Sequence, residues 1–358
     1  MKKLLLIGTM VLATMSWAID QPQLKNAKLE QRSAATGLEQ QVRSISGTAW
    51  VAYAALSISG NHNMCCYSFR DSSNRDYCCG TCGLEKHDSF VEGRNDNCPQ
   101  PQQQKLEGPN EFFVFVRVTR GSVEKVRMFS PNCQIDAGGM NVVWLNDVKP
   151  AESVAFLSKI TEAGGTFGRD EEADGAIAAL AMHLDPSADS ALAKLMTSGQ
   201  SEHVAEQATF WAGTLRGSRG YEMIAAALER NGNSEFRKHA VFALSQNSDP
   251  RAQTKLIDLA RHDNNSDIRG ESLFWLSQAA GKKAAGVIAS AIEDDPNTDV
   301  KKKAVFALSQ LPEDEGIPLL ISQAEKNANP VVRREAIFWL GQSGDKRALD
   351  YITSVLQR

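Results

Sequence analysis

LFWLSQ, residues 273–278, is one of five variants of a single phrase: TFWAGT (209–214), VFALSQ (241–246), LFWLSQ (273–278), VFALSQ (305–310) and IFWLGQ (337–342). Phe210, Phe242, Phe274, Phe306 and Phe338 thus recur every 32 residues. A period of this length belongs to stacked supersecondary units, each burying its apolar face on the next, so the carboxy-terminal half reads as a solenoid.

Extending the register in both directions gives six units starting at Asp170, Glu202, Ser234, Ser266, Thr298 and Pro330. In the first helix of a unit the third position is Val204, Phe236, Ile268, Val300 or Val332, the seventh is Ala208, Ala240, Ser272, Ala304 or Ala336, and the eleventh is usually Leu. At about 100° per residue these fall on one stripe, the face expected to pack. Turns such as Asp249-Pro250 and Gly344-Asp345-Lys346 lead into a second helix marked by Leu256, Leu259, Leu320 and Ile352. The first unit keeps the register but lacks the Phe and is expected to cap the array.

The segments Asp267-Ile268-Arg269, Asp299-Val300-Lys301 and Val331-Val332-Arg333, each with a small residue three positions after the basic one, resemble the Val-Arg-x-x-Ala helix of HEAT repeats. The similarity is to the short bacterial class that includes phycobilisome-lyase-type repeats and protein-binding scaffolds, and covers about residues 170–358. It implies a mainly α fold, a right-handed α-solenoid with the Phe-bearing helix on the concave side and the Leu256-type helix outside. One such fold carries many functions.

The ninth position, that of the Phe, lies about 160° from the packing stripe. Beside it the tenth position reads Trp211, Ala243, Trp275, Ala307, Trp339, and the thirteenth reads Thr214, Gln246, Gln278, Gln310, Gln342. On a concave surface these rows form a groove suited to an extended peptide or a sugar-like or apolar ligand, aromatic rings supplying area and amides supplying hydrogen bonds. The competing expectation is a thickened core, with the Phe ladder packed between neighbouring helices. A basic row, Arg237, Arg269, Lys301 and Arg333, is expected to pair with Glu235, Asp267 and Asp299 rather than to dock an acidic partner.

The amino-terminal half has another texture. Lys2-Lys3, an apolar run from Leu4 to Met15 and Ser16-Trp17-Ala18 read as a cleavable signal peptide over residues 1–18, too short to anchor. An exported protein, periplasmic or extracellular and without membrane insertion once the signal is removed, is the expectation. Residues 19–45 are polar and read as a leader with no core to join. Residues 46–148 read as a small β-rich, Cys-rich domain: a strand at Trp50-Val51-Ala52-Tyr53, a hairpin from Phe112–Val118 and Val123–Phe129 turning at Arg120-Gly121-Ser122, and a strand at Val142–Leu145. Pro150 opens a capping helix within the connector 149–165.

All seven cysteines, Cys65, Cys66, Cys78, Cys79, Cys82, Cys98 and Cys133, lie in this half. In an oxidising compartment they are expected to form disulfides, with one left over. Two alternatives use the same cluster. Cys79-Gly80-Thr81-Cys82 has the spacing of thiol–disulfide exchange but lacks the βαβ surroundings, and the Cys65–Cys98 group with His62 and His87 has zinc-type donors.

A net charge of −4 argues against general nucleic-acid binding. No phosphate loop, H-E-x-x-H or nucleophile elbow occurs. His183, His203, His239 and His262 read as surface or satisfied helix residues, and the acid pairs Asp294-Asp295 and Glu313-Asp314-Glu315 as turn residues. The expectation is a non-enzymatic binding or scaffold protein without metal or cofactor, taking a protein or peptide on Phe210, Trp211, Phe242, Gln246, Phe274, Trp275, Gln278, Phe306, Gln310, Phe338, Trp339 and Gln342. A lyase-like repeat enzyme acting on a small ligand is the further alternative.

Overall fold

Ala49–Ala55 and Phe112–Val116 are unbroken apolar runs because the sheet they form is covered on both faces. The computed structural model describes residues 21–59, 69–70, 76–77, 82–85, 110–131, 133–163, 171–197, 199–280 and 282–357. Its strands are β1 (Gln23–Lys25), β2 (Lys28–Ser33), β3 (Thr48–Leu56), β4 (Phe69–Arg70), β5 (Asp76–Tyr77), β6 (Cys82–Gly83), β7 (Glu111–Thr119), β8 (Ser122–Phe129), β9 (Gln134–Asp136) and β10 (Asn141–Asn146). The main sheet runs β2-β10-β3-β7-β8, with β10 parallel to both β2 and β3 and the β3, β7 and β8 pairings antiparallel. Arg120 and Gly121, both at positive φ, make the tight turn expected between β7 and β8.

Alternate residues of the sheet serve two cores. Val51, Tyr53, Phe112, Val114, Val116 and Leu145 face the helices. Trp50, Phe113, Phe115, Phe129 and Trp144 face a second layer holding Leu84, Ile135 and Ala137, built around the small parallel sheet β1-β9-β6. Cys133, buried in that layer, is disulfide-bonded. Cys65, Cys66, Cys78, Cys79 and Cys98, the side chain of Cys82 and residues 1–18, where a signal peptide is expected, lie outside the described residues.

The polar leader expected at residues 19–45 is instead structural from residue 21 onward. It supplies β1, the edge strand β2 and helix α1 (Leu38–Arg43), with Ala34, Leu38, Val42 and Ile45 buried. An edge strand contributes backbone hydrogen bonds and needs few apolar side chains. β2 therefore carries Lys28, Glu30 and Arg32 and reads as polar. Helix α2 (Pro150–Ala163) begins at Pro150 as expected and buries Val154, Phe156, Leu157 and Ile160.

Six helix pairs follow: α3 (Glu171–Met182) with α4 (Ser187–Leu195), α5 (Glu202–Leu215) with α6 (Gly217–Arg230), α7 (Ser234–Ser245) with α8 (Pro250–His262), α9 (Ser266–Ala280) with α10 (Lys282–Asp294), α11 (Thr298–Ser309) with α12 (Glu313–Lys326), and α13 (Pro330–Ser343) with α14 (Lys346–Leu356). The Val, Ala and Leu stripe is buried throughout. Asn233, Asn297 and Asn329 cap first helices, while Asp249 and Asp345 cap second helices.

The first pair does not end the array as a free cap. α3 lies on β8, where Gly175 has no Cβ to strike the Val126 carbonyl oxygen, and one core runs from the sheet into the repeats. First helices of successive repeats pack along their lengths, whereas second helices touch only locally. The first helices are therefore on the inside of the curve.

Candidate functional site

The ninth residues of the inner helices from α5 onward meet in pairs, with a tenth-position Trp between one pair and the next. Phe210 stacks on Phe242 with ring centroids 6.0 Å apart and planes at 13°, and Phe274 stacks on Phe306 at 5.7 Å and 3°. Trp275 bridges these pairs, 4.6 Å from Phe242 and 4.9 Å from Phe274. Trp339 lies 4.8 Å from Phe306 and 5.0 Å from Phe338, and Trp211 closes the other end, 5.1 Å from Phe210. Eight rings form one continuous rail along the inner surface.

The rail is neither the open groove nor the closed core anticipated for it. Phe210, Phe242, Phe274 and Phe306 and all three Trp are half-buried, and Phe338 is exposed. Stacking consumes the ring faces, so the edges, which carry the positive part of the aromatic quadrupole, line the surface. Trp275 and Trp339 donate their indole N–H to Glu271 (2.9 Å) and Glu335 (3.0 Å), one turn earlier on the same helix. Ala243 and Ala307, between the Trp positions, are fully buried.

One turn beyond the Phe, Thr214, Gln246, Gln278, Gln310 and Gln342 are all exposed. A notch of about 200 Å³ opens where α11, α12 and α13 meet, lined by Gln310, Glu313, Ile317, Trp339 and Gln342 among others. On the other flank of the rail, polar side-chain contacts join successive repeats: Asp174 with His203 (2.6 Å), Glu206 with His239 (2.8 Å) and the ion pair of Asp267 with Lys303 (2.9 Å). The Lys303 ammonium, hydrogen-bonded to Asp267, holds that carboxyl below its ordinary range. The inner face thus has three tiers: polar pairs, aromatic edges and exposed amides, of which Gln246 and Gln310 each donate one N–H to the preceding serine hydroxyl.

Two larger crevices, of about 480 and 570 Å³, lie away from the rail, between α6 and α8 and between α4 and α6. Outer helices splay on a convex surface, and Lys255 there pairs with Glu229 and Arg219 with Asp189. They are gaps of curvature.

The basic row is internal to the array; of the pairings expected for it and its neighbours Lys238, Lys302 and Arg334, Lys238–Glu235 and Lys302–Asp299 form, while the row itself takes other partners. Arg237 donates to the Leu228 carbonyl (2.7 Å) and pairs with Asp263. Arg269 grips Asp295 through Nε (2.7 Å) and Nη2 (3.0 Å) and donates to the Asp263 carbonyl (2.8 Å). Lys301 donates to the Glu293 carbonyl (2.6 Å) and Arg333 to the Asn327 carbonyl (2.8 Å). Burial opposes ionisation of Asp295, but hydrogen bonds from Arg269 and the Asn297 N–H outweigh it and hold the carboxyl low. Glu235, Asp267 and Asp299 pair instead with Lys238, Lys303 and Lys302.

His183 is not a surface histidine. It is fully buried where α3 meets β3, sharing a hydrogen bond with Ser153 (2.9 Å), which shares another with Tyr53 (2.8 Å). Phe112 packs edge-on against the ring. Among the described residues no group of three or more His, Cys, Asp or Glu is arranged to hold a metal. No described helix is long and apolar enough to cross a membrane.

The family model for HEAT repeats matches residues 190–277 and 286–358. The helical array is built of HEAT repeats. Among solved structures, this chain is similar to human deoxyhypusine hydroxylase in complex with glycerol (16% identity over 56% of this chain and 77% of that one, TM-score 0.25). It is similar also to the CpcE–CpcF complex of phycocyanin lyase from Nostoc sp. PCC7120 (22% identity, 43% and 99% covered, TM-score 0.34) and to YibA of Escherichia coli (16%, 57% and 76%, TM-score 0.33). None of these likenesses is strong enough to carry a function across. No curated protein matches the chain.

Proposed function

We propose that this is an exported, non-enzymatic binding or scaffold protein that takes an extended protein or peptide segment along its inner face, with no cofactor. The observation that carries the reading is the continuous aromatic rail flanked by the exposed Gln row. Each Gln amide offers a donor and an acceptor, the pair that a backbone peptide group requires, and repeats at the period of the array. The ring edges beneath supply apolar area and a weakly positive floor for carbonyl oxygens. Export is supported by the signal-like amino terminus and by the disulfide-bonded Cys133, a state that an oxidising compartment sustains.

The test uses the tier that the fold does not need. Gln278→Ala with Gln310→Ala removes two exposed amides, so the thermal midpoint should stay unchanged while affinity for an unstructured peptide selected from a library falls roughly tenfold. Phe274→Ser with Trp275→Ser should abolish that binding but also lower stability, since both rings pack in the rail. Peptide affinity unaffected by either pair of changes would remove the inner face from consideration.

A further inference from the structure

His183 directly follows α3 and closes the corner where the helical array meets the sheet. Its backbone forms a bridge with Ser57, just past the end of β3. On either side of that bridge the Ile58 N–H donates to the Met182 carbonyl (2.9 Å) and the Leu184 N–H to the Leu56 carbonyl (2.8 Å). Arg216, at the end of α5, donates to the carbonyls of Ala181 (3.1 Å) and His183 (2.5 Å). The imidazole is turned inward, where Nε2 shares a hydrogen bond with Ser153 of α2 (2.9 Å) and Phe112 of β7 lies 5.3 Å away, edge-on at 83°. Sheet, α2 and array therefore meet on one side chain.

The corner is built for a neutral ring. His183 is fully buried, and its Nδ1 has no hydrogen-bond partner among the described residues. Around it, the Tyr53 phenol shares its hydrogen bond with Ser153 and is kept protonated by burial, and Glu152 accepts from the Leu38 N–H of α1 instead. The Arg216 guanidinium adds positive charge and is itself held by Asp189. Of these groups only Asp185 favours a charged ring, and its carboxylate is already bonded to the Ser187 N–H (2.9 Å) and hydroxyl (2.6 Å). A second proton on the ring would place a cation with an unmade hydrogen bond in a dry site, a cost that is relieved by moving the ring to water. The path is short, because the chain reaches the surface at once: Leu184 is 41% exposed.

We propose that this corner is an acid-operated latch between the sheet and the repeat array. When His183 takes up a proton, its ring leaves Ser153 and Phe112 for solvent, and the backbone bonds between residues 56–58 and 182–184 open with it. The opening is local, since two sets of contacts do not pass through the corner. The second core of the sheet, around Trp50, Phe113 and Trp144, lies on the face away from the helices, and the inner helices from α5 onward pack on one another. Acid therefore loosens the joint and leaves both parts folded. The sign follows from the ring: freed, it protonates near 6.5, and buried, only near 4, so opening is favoured as pH falls below about 6.5 and levels off near 4.

The experiment is hydrogen exchange on the full chain, read peptide by peptide by mass spectrometry and corrected for the intrinsic pH dependence of amide exchange. Between pH 7.5 and pH 5 the opening constant for residues 56–58 and 182–184 should rise roughly thirtyfold, while the amides of α9, α11 and β10 stay as they were. The rise should be the same in urea well below the unfolding midpoint, because a local opening exposes little surface. His183→Gln, which keeps a partner for Ser153 and cannot take up the proton, should abolish it. The localisation is measured in the wild type, so the test stands even where that variant fails to fold. No rise at the corner, a rise of equal size in every helix and strand, or a rise that survives in His183→Gln overturns the proposal.

Discussion

His183 is one place where a single residue decides how the halves of the molecule behave. Burial, with a contribution from the Arg216 charge and against the pull of Asp185, lowers its pKa from 6.5 to about 4. Its Nε2 is bonded to Ser153, and its Nδ1 has no hydrogen-bond partner among the described residues. The folded chain therefore holds the ring neutral, while the unfolded chain protonates it near 6.5. The sign follows: the stabilisation is complete above about pH 6.5 and is lost as pH falls towards 4, by about 3 kcal/mol in all. Urea unfolding across that range should show this loss in the wild type. In His183→Gln, which keeps a partner for Ser153 but cannot titrate, the component should be missing. Parallel pH profiles for the two proteins would show that the buried ring does not couple to unfolding.

At the scale of elements, the position-four cations join one repeat to the next. Arg269, on α9, bonds the carbonyl of Asp263 at the end of α8 and the carboxylate of Asp295 at the end of α10, with side-chain exposures of 11% and 6% for the Arg269–Asp295 pair. Arg269→Ala strands Asp295 in a nearly dry site and should cost about 3 to 5 kcal/mol. Arg333 bonds the carbonyls of Asn327 and Ala328, so Arg333→Ala should cost only about 1 to 2 kcal/mol. Denaturant midpoints of the two variants test that difference. These bonds also show where the sequence was legible. Val204, Ala208 and their equivalents announce the helices because a buried stripe has a period that one helix imposes by itself. The fate of Phe274 depends on where the neighbouring helix puts Phe306, which no wheel of one helix contains. The same holds for Arg269, whose partner Asp295 looks like a turn residue until the second helix is folded back. One signal was available and not read: Asn231, Asp263, Asp295 and Asn327, with Asn233, Asn265, Asn297 and Asn329, repeat in the same register as the Phe. They form the turns and caps at the helix starts. Residues 21–45 were illegible because an edge strand needs no apolar pattern.

At the scale of the whole molecule, two textures of sequence suggest two domains, yet the structure builds one core from Ala34 to Ala348. The seam is stitched by backbone as well as by side chains. The Ile58 N–H donates to the Met182 carbonyl (2.9 Å) and the Leu184 N–H to the Leu56 carbonyl (2.8 Å), so the end of β3 runs into the end of α3. Arg216, buried, reaches back from α5's end to the carbonyls of Ala181 and His183 and to Asp189. A repeat array passes stability between neighbours, and here the first neighbour is the sheet. Sheet and array should then unfold together, with near-ultraviolet signals from the buried Trp50 and Trp144 and far-ultraviolet signals from the helices following one denaturant curve. Gly175 is the place to break that coupling. A Cβ there meets the backbone oxygen of Val126, which cannot move aside without disturbing β8, so Gly175→Val should lift α3 from the sheet. The two signals should separate in that variant, the helical transition moving to lower denaturant than the sheet. Separate transitions already present in the wild type would instead mean that the seam transmits nothing and that the two textures are two folding units.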